Sequence, residues 1–299
     1  MQLGIGKATA KTILFGEHSV VYGYPAVAIP LKNLTTTVTI KQANKRGITF
    51  NNQNIPINVF RQRFSGIFQL IQDLRLRFQF EGDVTFNIET NIPTKSGLGS
   101  SASITVALIR SFYDYMNTEL DETDLIREAN DVEMVNHVNA SGVDVQTIVQ
   151  QAPILYSKSE GFTKLHFHQH GYLILIDSGI SGDTSVAVEK VRNFYNTDPD
   201  KVTKIFEEIT ENEKSAMTDG VVDFGHHFNI NQSLLKKLGV STQEIDSLIE
   251  RVLDLGAQGA KLTGGGLGGS IIAYVEEQKT AEYIQNQLAD LYSIWVSKL

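Results

Sequence analysis

A glycine- and serine-rich stretch of this sequence has the composition of a phosphate-binding loop. It runs from Ile92 to Ser103, reads IPTKSGLGSSAS, and stands just before an apolar helical pattern. Backbone N–H groups at the start of a helix point towards an anion, and the helix dipole favours negative charge there. A serine hydroxyl at such a place can also be a ligand of Mg²⁺. The stretch lacks the Lys-Ser/Thr ending of a Walker loop, so a phosphate site here is of another kind.

Two other interpretations of this stretch stay open on the residues alone. Glycines and serines are ordinary turn and capping residues, so the loop could be purely structural. Gly97-x-Gly99-x-x-Ala102 also fits the relaxed fingerprint of a dinucleotide-binding fold. That fingerprint needs a strand that runs directly into the first glycine and an early strand–helix–strand unit. Here residues 93–96 intervene and the chain opens with strands only, so the fit is weak.

The segments around the loop have the patterns of a mixed α and β chain. The first ninety residues are rich in strand patterns, and one helical pattern with apolar residues at three- and four-residue steps spans 58–78. The run YLILIDSG after Gly171 predicts a central strand, and AQGAKLTGGGLGGSIIAYV predicts strand, glycine turn and strand. Further helices are predicted at about 101–116, 123–137, 184–195, 200–217, 242–255 and 280–291, and a last strand at SIWVS.

Helix caps and one soft boundary complete this outline. Ser100 or Ser101 is the expected N-cap of the helix after the glycine loop. Ser241 and Glu244 have the spacing of a capping box for the helix at 242–255. A domain boundary is predicted near residues 158–171, where the character of the sequence changes.

Length, composition and charge exclude several classes of protein. The chain has 299 residues, enough for one large domain or two ordinary ones, and an ordinary globular composition with 41% apolar residues. Its formal charge of −8 argues against a nucleic-acid or anionic-membrane partner. There is no cysteine, which excludes disulfides, thiolate metal sites and cysteine nucleophiles. No apolar run approaches the ~20 residues of a membrane span, and no signal peptide is evident, so we expect a cytoplasmic protein.

Four segments, taken together, resemble the signature motifs of the GHMP kinases, the small-molecule kinases for galactose, homoserine, mevalonate and phosphomevalonate. They occur in order along nearly the whole chain: AKTILFGEHSVVYGYPAVA, PTKSGLGSSAS, VEMVNHVNASGVDVQ and AKLTGGGLGGS. Within the superfamily the chain is most similar to the mevalonate kinases, and its short length favours their bacterial branch. The features that point there are GEHSVVYG, Glu133 eleven residues before Asp144, NQSLLKKLGVS and KLTGGGLGGS.

The sequence departs from the usual motifs at three places. Thr9-Ala10 precede Lys11 where the family often has Pro-Gly. Gly265 stands where the third motif usually has an alanine. After the central strand the chain reads DSGISGDT, where some mevalonate kinases carry an arginine.

The resemblance implies a fold, a reaction and a set of small-molecule partners. The implied fold is α/β of the α+β type, with a ribosomal-S5-like N-terminal domain at residues 1–165 and a ferredoxin-like C-terminal domain at residues 166–299. The implied reaction is ATP-dependent phosphorylation of (R)-mevalonate to 5-phosphomevalonate, a step of the mevalonate pathway of isoprenoid biosynthesis. ATP is then the co-substrate, Mg²⁺ the cofactor and mevalonate the substrate. A homodimer is a further possibility that the sequence leaves open.

The resemblance also assigns roles to residues at the matching positions. Asp144 is the expected general base and Lys11 its companion, since a nearby ammonium would keep Asp144 ionised and could stabilise alkoxide character on the attacking oxygen. Ser101 and Glu133 are the expected Mg²⁺ ligands. His18, Glu17 and Thr184 are the expected substrate contacts, with His18 as candidate donor to the carboxylate. The residues expected to hold ATP are Pro93, Lys95, Gly97, Leu98, Gly99, Ser100, Ser101, Ala102, Gly264, Gly265 and Gly266.

Two groups of histidines offer other metal sites on spacing alone. Glu133 and His137 lie one helical turn apart, which could suit zinc. His166, His168 and His170 would lie on one face of an extended strand. We favour Mg²⁺ at Glu133 with His137 only lining the helix, and an exposed strand for the other three.

Two rival functions complete the expectations. One is another kinase of the same superfamily, acting on phosphomevalonate or a sugar. The other is a catalytically silent binding or regulatory relative, which would keep the glycine loops and lose the base. The presence of Asp144, Lys11, Ser101 and Glu133 argues against a silent relative.

Overall fold

The computed structural model of the chain describes residues 2–136, 141–166, 170–218 and 224–299. It divides into two compact units, and neither is a single stretch of chain. The first unit contains the chain up to Ala10 together with Pro30–Ile92 and Gly99–Gln151, and the second contains Lys11–Ile29, Pro93–Leu98 and Ala152–Leu299. The family-domain boundary at residues 165 and 166 stays a prediction.

Two long strands contribute residues to both units, and the remaining elements of the first unit follow them. The long strands are β1 (Leu3–Phe15) and β2 (Ala26–Gln42). The other elements of the first unit are β3 (Gly47–Phe50), β4 (Gln53–Asn54), α1 (Ile57–Arg63), α2 (Ser65–Arg77), β5 (Val84–Thr90), α3 (Ser100–Tyr115), α4 (Glu122–Asn136) and α5 (Val143–Gln150).

The second unit contains a longer series of elements. They are β6 (Ile154–Ser157), β7 (Gly161–Lys164), β8 (Tyr172–Asp177), α6 (Thr184–Thr197), α7 (Pro199–Thr218), α8 (Phe224–Lys237), α9 (Gln243–Asp254), β9 (Gly259–Leu262), β10 (Ser270–Val275), α10 (Gln278–Leu288) and β11 (Ser293–Lys298). Among the described residues, no helix combines the length and the apolar character that crossing a membrane requires.

In the first unit, a sheet supports the helices that carry candidate site residues. The later half of β2 pairs antiparallel with β5, and β5 pairs parallel with β3. Apolar side chains of these strands and of α2–α5 form one buried core. Helix α3 lies close against β1, because a Cβ atom at Gly6 would overlap the carbonyl oxygen of Ala107. Glycine in β1 therefore sets how near the helix after the glycine loop can come to the strand.

The helical pattern at 58–78 is two helices, so the prediction of one continuous pattern was wrong in detail. The break falls at Phe64, whose φ of −132° and ψ of 55° are not helical. The Phe64 ring lies 5.7 Å from the Phe50 ring and 5.1 Å from the Phe60 ring, measured between centroids. Burial of this aromatic group accompanies the break in the helix.

The second unit has a four-stranded antiparallel sheet in the order β11-β8-β10-β9. The predicted central strand YLILID is β8, an interior strand between β10 and β11, and the predicted strand–turn–strand is β9 and β10. Helices pack their apolar residues against this sheet in a second core. Helix α8 was not predicted, because its apolar residues are interrupted by Gly225, two histidines and three asparagines or glutamines.

Helix α8 touches β9 through glycine backbones. A Cβ atom at Gly259 would overlap the Gly225 backbone, and one at Gly225 would lie 2.6 Å from Cβ of Gln258. The Asn229 side chain closes the contact, since its Nδ2 donates to the Gln258 carbonyl (3.0 Å) and its Oδ1 accepts from the Ala260 N–H (3.1 Å). This contact fixes the register in which α8 and β9 present their polar side chains to one another.

Both predicted N-caps are shifted by one residue or more. Helix α3 has Gly99 as its N-cap, with φ 71° and ψ 30° and no side-chain cap, in place of Ser100 or Ser101. Helix α9 is capped by Thr242, whose Oγ1 accepts from the Ile245 N–H at 3.4 Å. Ser241 instead donates its hydroxyl to Asp246 (2.7 Å). An αL residue at an N-cap favours glycine, so Gly99 leaves both serine side chains available for other contacts.

Candidate functional site

The residues 93–98 of the glycine loop belong to the second unit and are fixed by backbone hydrogen bonds. The Ser96 hydroxyl donates to the Pro93 carbonyl (2.8 Å), and the Ser96 carbonyl accepts from the Ser270 N–H (3.2 Å). The Lys95 carbonyl accepts from the Gly182 N–H (3.3 Å), while the Lys95 side chain is exposed. The loop is therefore held in shape by carbonyl contacts, which leaves the charge of Lys95 available at the surface.

The two glycine-rich segments touch each other inside the second unit. Gly97 has φ 81° and Gly264 has φ 77°. Residues other than glycine rarely adopt this region of backbone conformation. A Cβ atom at Gly97 would lie 2.9 Å from the Thr263 carbonyl oxygen, and one at Gly264 would lie 2.7 Å from Cα of Gly97. This approach requires glycine at both positions.

The third-motif departure at Gly265 has a local explanation. A Cβ atom there would lie 2.9 Å from both Cα and Oγ1 of Thr184, which begins α6. An alanine would therefore push against the residue expected to contact the substrate. Thr184 is exposed, and Asp183 caps its helix by accepting from the N–H groups of Ser185 and Val186.

In the first unit, the candidate Mg²⁺ ligands lie side by side. Ser101, in the first turn of α3, donates its hydroxyl to Oε1 of Glu133 on α4 over 2.7 Å. Glu133 is 7% exposed, so its carboxylate is held in place by packing as well as by this bond. A hydroxyl and a carboxylate at this distance are hard oxygen ligands that suit Mg²⁺.

The candidate base Asp144 lies in the first turn of α5. The N-cap of this helix is Gly142, with φ 87° and ψ −12°, so the turn before Asp144 depends on glycine. A carboxylate in a first helical turn is stabilised by the helix dipole. The turn at Ser141-Gly142 is therefore the structural reason for the position of Asp144.

Lys11 is a buried cation of β1 in the second unit. Its side chain is 2% exposed, and its Nζ donates to the Gly97 carbonyl over 3.1 Å. Its backbone N–H donates to the Leu98 carbonyl at 3.1 Å. Both bonds attach Lys11 to the glycine loop, which places this positive charge beside the residues expected to hold phosphates.

Glu17 and Lys261 form an ion pair whose two side chains are completely buried. Oε1 of Glu17 accepts from Nζ of Lys261, and Oε2 accepts from Nδ2 of Asn231 on α8 over 3.0 Å. Burial lowers the pKa of Lys261, and the charge of Glu17 opposes this shift. Sequence reasoning did not assign Lys261 and Asn231 to the site. For Lys261, the signal that could have found it is a lysine in the short strand GAKL, between alanine and leucine; Asn231 gave no such signal, because α8 is rich in polar residues.

His18 follows Glu17 and is bonded to the third-motif loop. Its Nε2 lies 2.8 Å from the Gly265 carbonyl oxygen, and the residue has a φ of 63°. Because a carbonyl only accepts, Nε2 carries the proton, and the other ring nitrogen, Nδ1, is an acceptor in the neutral ring. Burial lowers the pKa of His18 to about 4, so the ring is neutral at pH 7. A donor role towards a carboxylate would require this bond to Gly265 to break.

Glu213 on α7 is a second buried acid near this ion pair. It is 2% exposed, and its Oε2 has no hydrogen-bond partner among the described residues. Burial raises the pKa of Glu213 to about 8, with a further contribution from the charge of Glu17. Glu213 is therefore mostly protonated at pH 7.

The histidine-based metal sites have little support in the described part of the chain. His137 and His168 lie outside the described residues. His166 and His170 lie between the end of β7 at Lys164 and the start of β8 at Tyr172, so the predicted exposed strand is wrong at these two residues. Within the described ranges, no group of three or more histidine, aspartate or glutamate side chains could hold a metal ion.

Comparisons with known proteins agree with the motifs. Residues 63–151 match the family model of the GHMP kinases N terminal domain, and residues 217–294 match the model of the GHMP kinases C terminal. Mevalonate kinase of Methanothermobacter thermautotrophicus is 31% identical over 271 residues, which cover 89% of this chain and 88% of the relative. Mevalonate kinase of Methanocaldococcus jannaschii is 32% identical over 303 residues, which cover 92% and 93%.

A solved structure gives the same result in three dimensions. The crystal structure of L. major mevalonate kinase in complex with R-mevalonate has a TM-score of 0.83 and 25% identity, and covers 99% of this chain and 95% of that chain. Fold and motifs together define a GHMP kinase. The chain belongs to the mevalonate kinase family, which confirms the predicted family, fold class and enzyme class. The bacterial branch stays a prediction.

The buried acid Glu213 yields a prediction for stability against pH. Its folded pKa of about 8 lies above the ordinary value of 4.5, so the folded state binds more protons between these values and stability falls as pH rises. Glu213→Gln cannot ionise. We expect its stability relative to wild type to rise by about 3 kcal/mol between pH 5 and pH 8, measured by urea unfolding.

His18 makes a contribution of the opposite sign, because its folded pKa of about 4 lies below the ordinary value of 6.5 and the protein therefore loses stability as pH falls between these values. This contribution is the same in both proteins, so the comparison with wild type removes it. Glu211→Gln, an exposed change two residues away on the same helix, is the matched control and should show no such trend. A constant difference between Glu213→Gln and wild type over this range would mean that Glu213 is ionised in the folded protein.

Proposed function

We propose that this protein transfers the γ-phosphoryl group of ATP to the primary hydroxyl of (R)-mevalonate, giving 5-phosphomevalonate. The observation that carries the proposal is family membership over nearly the whole chain together with the residues the reaction requires. Phosphoryl transfer needs in-line positioning, charge neutralisation and a group for the proton of the nucleophile. Asp144, Lys11, Ser101 and Glu133 supply these groups.

The proposed base is Asp144. Its carboxylate takes the proton of the primary hydroxyl as the bond from that oxygen to the γ-phosphorus forms, while the bond from the γ-phosphorus to the bridging oxygen breaks and ADP leaves. Lys11 contributes positive charge that stabilises alkoxide character on the attacking oxygen. Its hydrogen bond to the Gly97 carbonyl keeps the ammonium at the glycine loop, so the charge is oriented before the substrate arrives.

The proposed ATP contacts are the two glycine segments. Backbone N–H groups at Gly99 and Ser100, at the start of α3, point in the direction that favours an anion. Lys95 adds an exposed positive charge, and Gly264–Gly266 add further backbone donors in the second unit. Pro93, Leu98 and Ala102 shape the loop around these donors.

Ser101 and Glu133 are the proposed ligands of Mg²⁺. The fit rests on their two oxygens, 2.7 Å apart, of the hard type that Mg²⁺ prefers. Mg²⁺ usually binds through one or two protein oxygens together with waters and substrate phosphates, so two ligands are sufficient. When bound, the ion supplies charge neutralisation at the phosphates. Cytoplasmic location and a homodimer stay predictions.

The substrate assignment is tested by comparing alcohols. Mevalonate has a primary hydroxyl, a tertiary hydroxyl and a carboxylate, and a site built around specific polar groups rejects ligands that leave them unpaired. We expect kcat/KM for mevalonate to exceed that for phosphomevalonate, galactose or homoserine by at least ~10³-fold in an ADP-release assay. A higher value for phosphomevalonate would reject mevalonate as the substrate and leave the superfamily assignment intact.

The role of Asp144 is tested by removing its charge. Asp144→Asn should lower kcat by ~10²-fold or more, the usual scale for general base catalysis, with little change in KM for ATP. Asp200→Asn is the matched control, because Asp200 also lies in the first turn of a helix and has no proposed role. Near-wild-type turnover of Asp144→Asn would exclude it as the base.

The metal site is tested by titrating Mg²⁺. Ser101→Ala removes one oxygen ligand and Glu133→Gln removes the charge of the other, so both should raise the Mg²⁺ concentration for half-maximal activity. Ser103→Ala, two residues further along α3 with a buried hydroxyl, is the control and should behave like wild type. If both variants keep the wild-type Mg²⁺ dependence, the ion binds elsewhere.

A further inference from the structure

The ion pair of Glu17 and Lys261 is the most deeply buried charge pair in the described part of the chain, and the proposed mechanism does not use it. Both side chains are completely buried, and both oxygens of Glu17 already have protein partners, Lys261 and Asn231. A substrate that contacted this carboxylate would have to enter a space without solvent and approach a charge that already has two buried partners. Glu17 is therefore better placed to act on a neighbour than on mevalonate.

That neighbour is His18. The peptide bond after Glu17 leads directly into His18, whose φ of 63° is in a region that a histidine adopts only when its surroundings hold it there. Lys261 stands four residues before Gly265, whose carbonyl accepts from His18 Nε2 at 2.8 Å. Two contacts thus join the segment that contains Glu17 and His18 to the segment that contains Lys261 and Gly265. One is the ion pair of Glu17 and Lys261, and the other is the hydrogen bond between His18 and Gly265.

A third contact in the second unit joins the same two segments. The hydroxyls of Thr12 and Thr263 lie 2.9 Å apart, and Oγ1 of Thr263 also lies 3.2 Å from the N–H and 3.1 Å from the carbonyl of Ile13. Thr263 stands between Lys261 and Gly265. The segment 261–265 is therefore attached to the segment 12–18 at three points, and the ion pair is the charged one.

We propose that Glu17 and Lys261 are positioning residues of the phosphoryl-transfer site, which hold His18 as a neutral imidazole with the proton on Nε2 and with Nδ1 as its acceptor. An acceptor selects a hydroxyl and rejects a carboxylate, because only the hydroxyl can donate. His18 then accepts from a hydroxyl of the alcohol substrate. This proposal rests on the proposed function for the identity of that substrate, while the state of the imidazole does not depend on it.

The buried pair also allows positioning to be separated from folding. Removing one partner of a buried pair leaves an uncompensated charge and is strongly destabilising, whereas replacing both partners by uncharged residues is often neutral. Lys261→Met and Glu17→Gln should therefore each lower the urea midpoint, and the double variant should recover it. The exposed pair Lys237 and Glu208, 3.5 Å apart, gives matched control variants, Lys237→Met and Glu208→Gln.

The first measurement is the tautomer of His18 in the resting protein, read from long-range ¹H–¹⁵N spectra of the imidazoles. The His18 signals are identified by their loss in His18→Gln. We expect Nε2 protonated and Nδ1 unprotonated in wild type and in the control variants, and a mixture of tautomers in Lys261→Met and in the double variant. Addition of mevalonate to wild type should shift the Nδ1 signal, because a hydroxyl then donates to it.

The second measurement is kinetic. In the double variant, kcat/KM for mevalonate should stay at least about 10-fold below wild type while KM for ATP changes little, although stability has recovered. The proposal is wrong if wild-type His18 carries its proton on Nδ1, or if the double variant regains both the tautomer and the KM of wild type. Failure of mevalonate as a substrate would leave the tautomer result standing, so the two proposals fail separately.

Discussion

The need to neutralise a fully buried lysine organises the second unit. Lys261 extends from β9 into an environment without solvent, where an unpaired ammonium would be very costly. Glu17 supplies the opposite charge, and Asn231 satisfies the second oxygen of that carboxylate. The three groups come from the connection after β1, from β9 and from α8, so their contact ties these elements to one another. Phe228 on α8 lies under the ammonium at 5.8 Å from its ring centroid, which adds a favourable cation–π contact.

Close backbone contacts make this arrangement possible. Helix α8 reaches β9 only because Gly225 and Gly259 have no side chains, and the two glycine-rich segments meet only because Gly97 and Gly264 have none. Each contact brings peptide groups to the positions where polar side chains or anions are bound. At these positions glycine is therefore needed because it allows two backbones to come close together, more than because it is flexible. An added methyl group would separate elements whose polar atoms must lie within hydrogen-bonding reach.

The groups proposed for chemistry are held more locally than the ion pair. Ser101 and Asp144 both lie in first helical turns, each after a glycine in the left-handed region. This arrangement uses the helix dipole and the unpaired N–H groups of a helix start, which favour phosphate and carboxylate charge. Ser101 and Asp144 thus owe their positions to local turns, whereas His18 is held by a contact with a distant segment. A difference of this kind is expected when the chemistry is common to a superfamily and the substrate contacts are not.

The sequence by itself determined the family, the fold class and the candidate chemistry. The glycine loop, the turn before Asp144 and the strand–turn–strand of the third motif are local patterns. They can be predicted because turns and helix starts depend mainly on residues that are close together in the sequence. Helix caps at Gly99 and Thr242 and the break at Phe64 were placed less well, because small differences among adjacent residues decide them.

Only the tertiary structure decided which groups Glu17 and His18 contact. In the sequence they read as two substrate contacts in GEHSVVYG, and nothing local shows that Lys261, separated by 244 positions, takes one carboxylate oxygen of Glu17. The tautomer of His18 likewise depends on a carbonyl 247 positions away. Protonation state, burial and pairing of charges are properties of the surroundings that folding assembles from distant segments, so no spacing of residues along the chain can determine them.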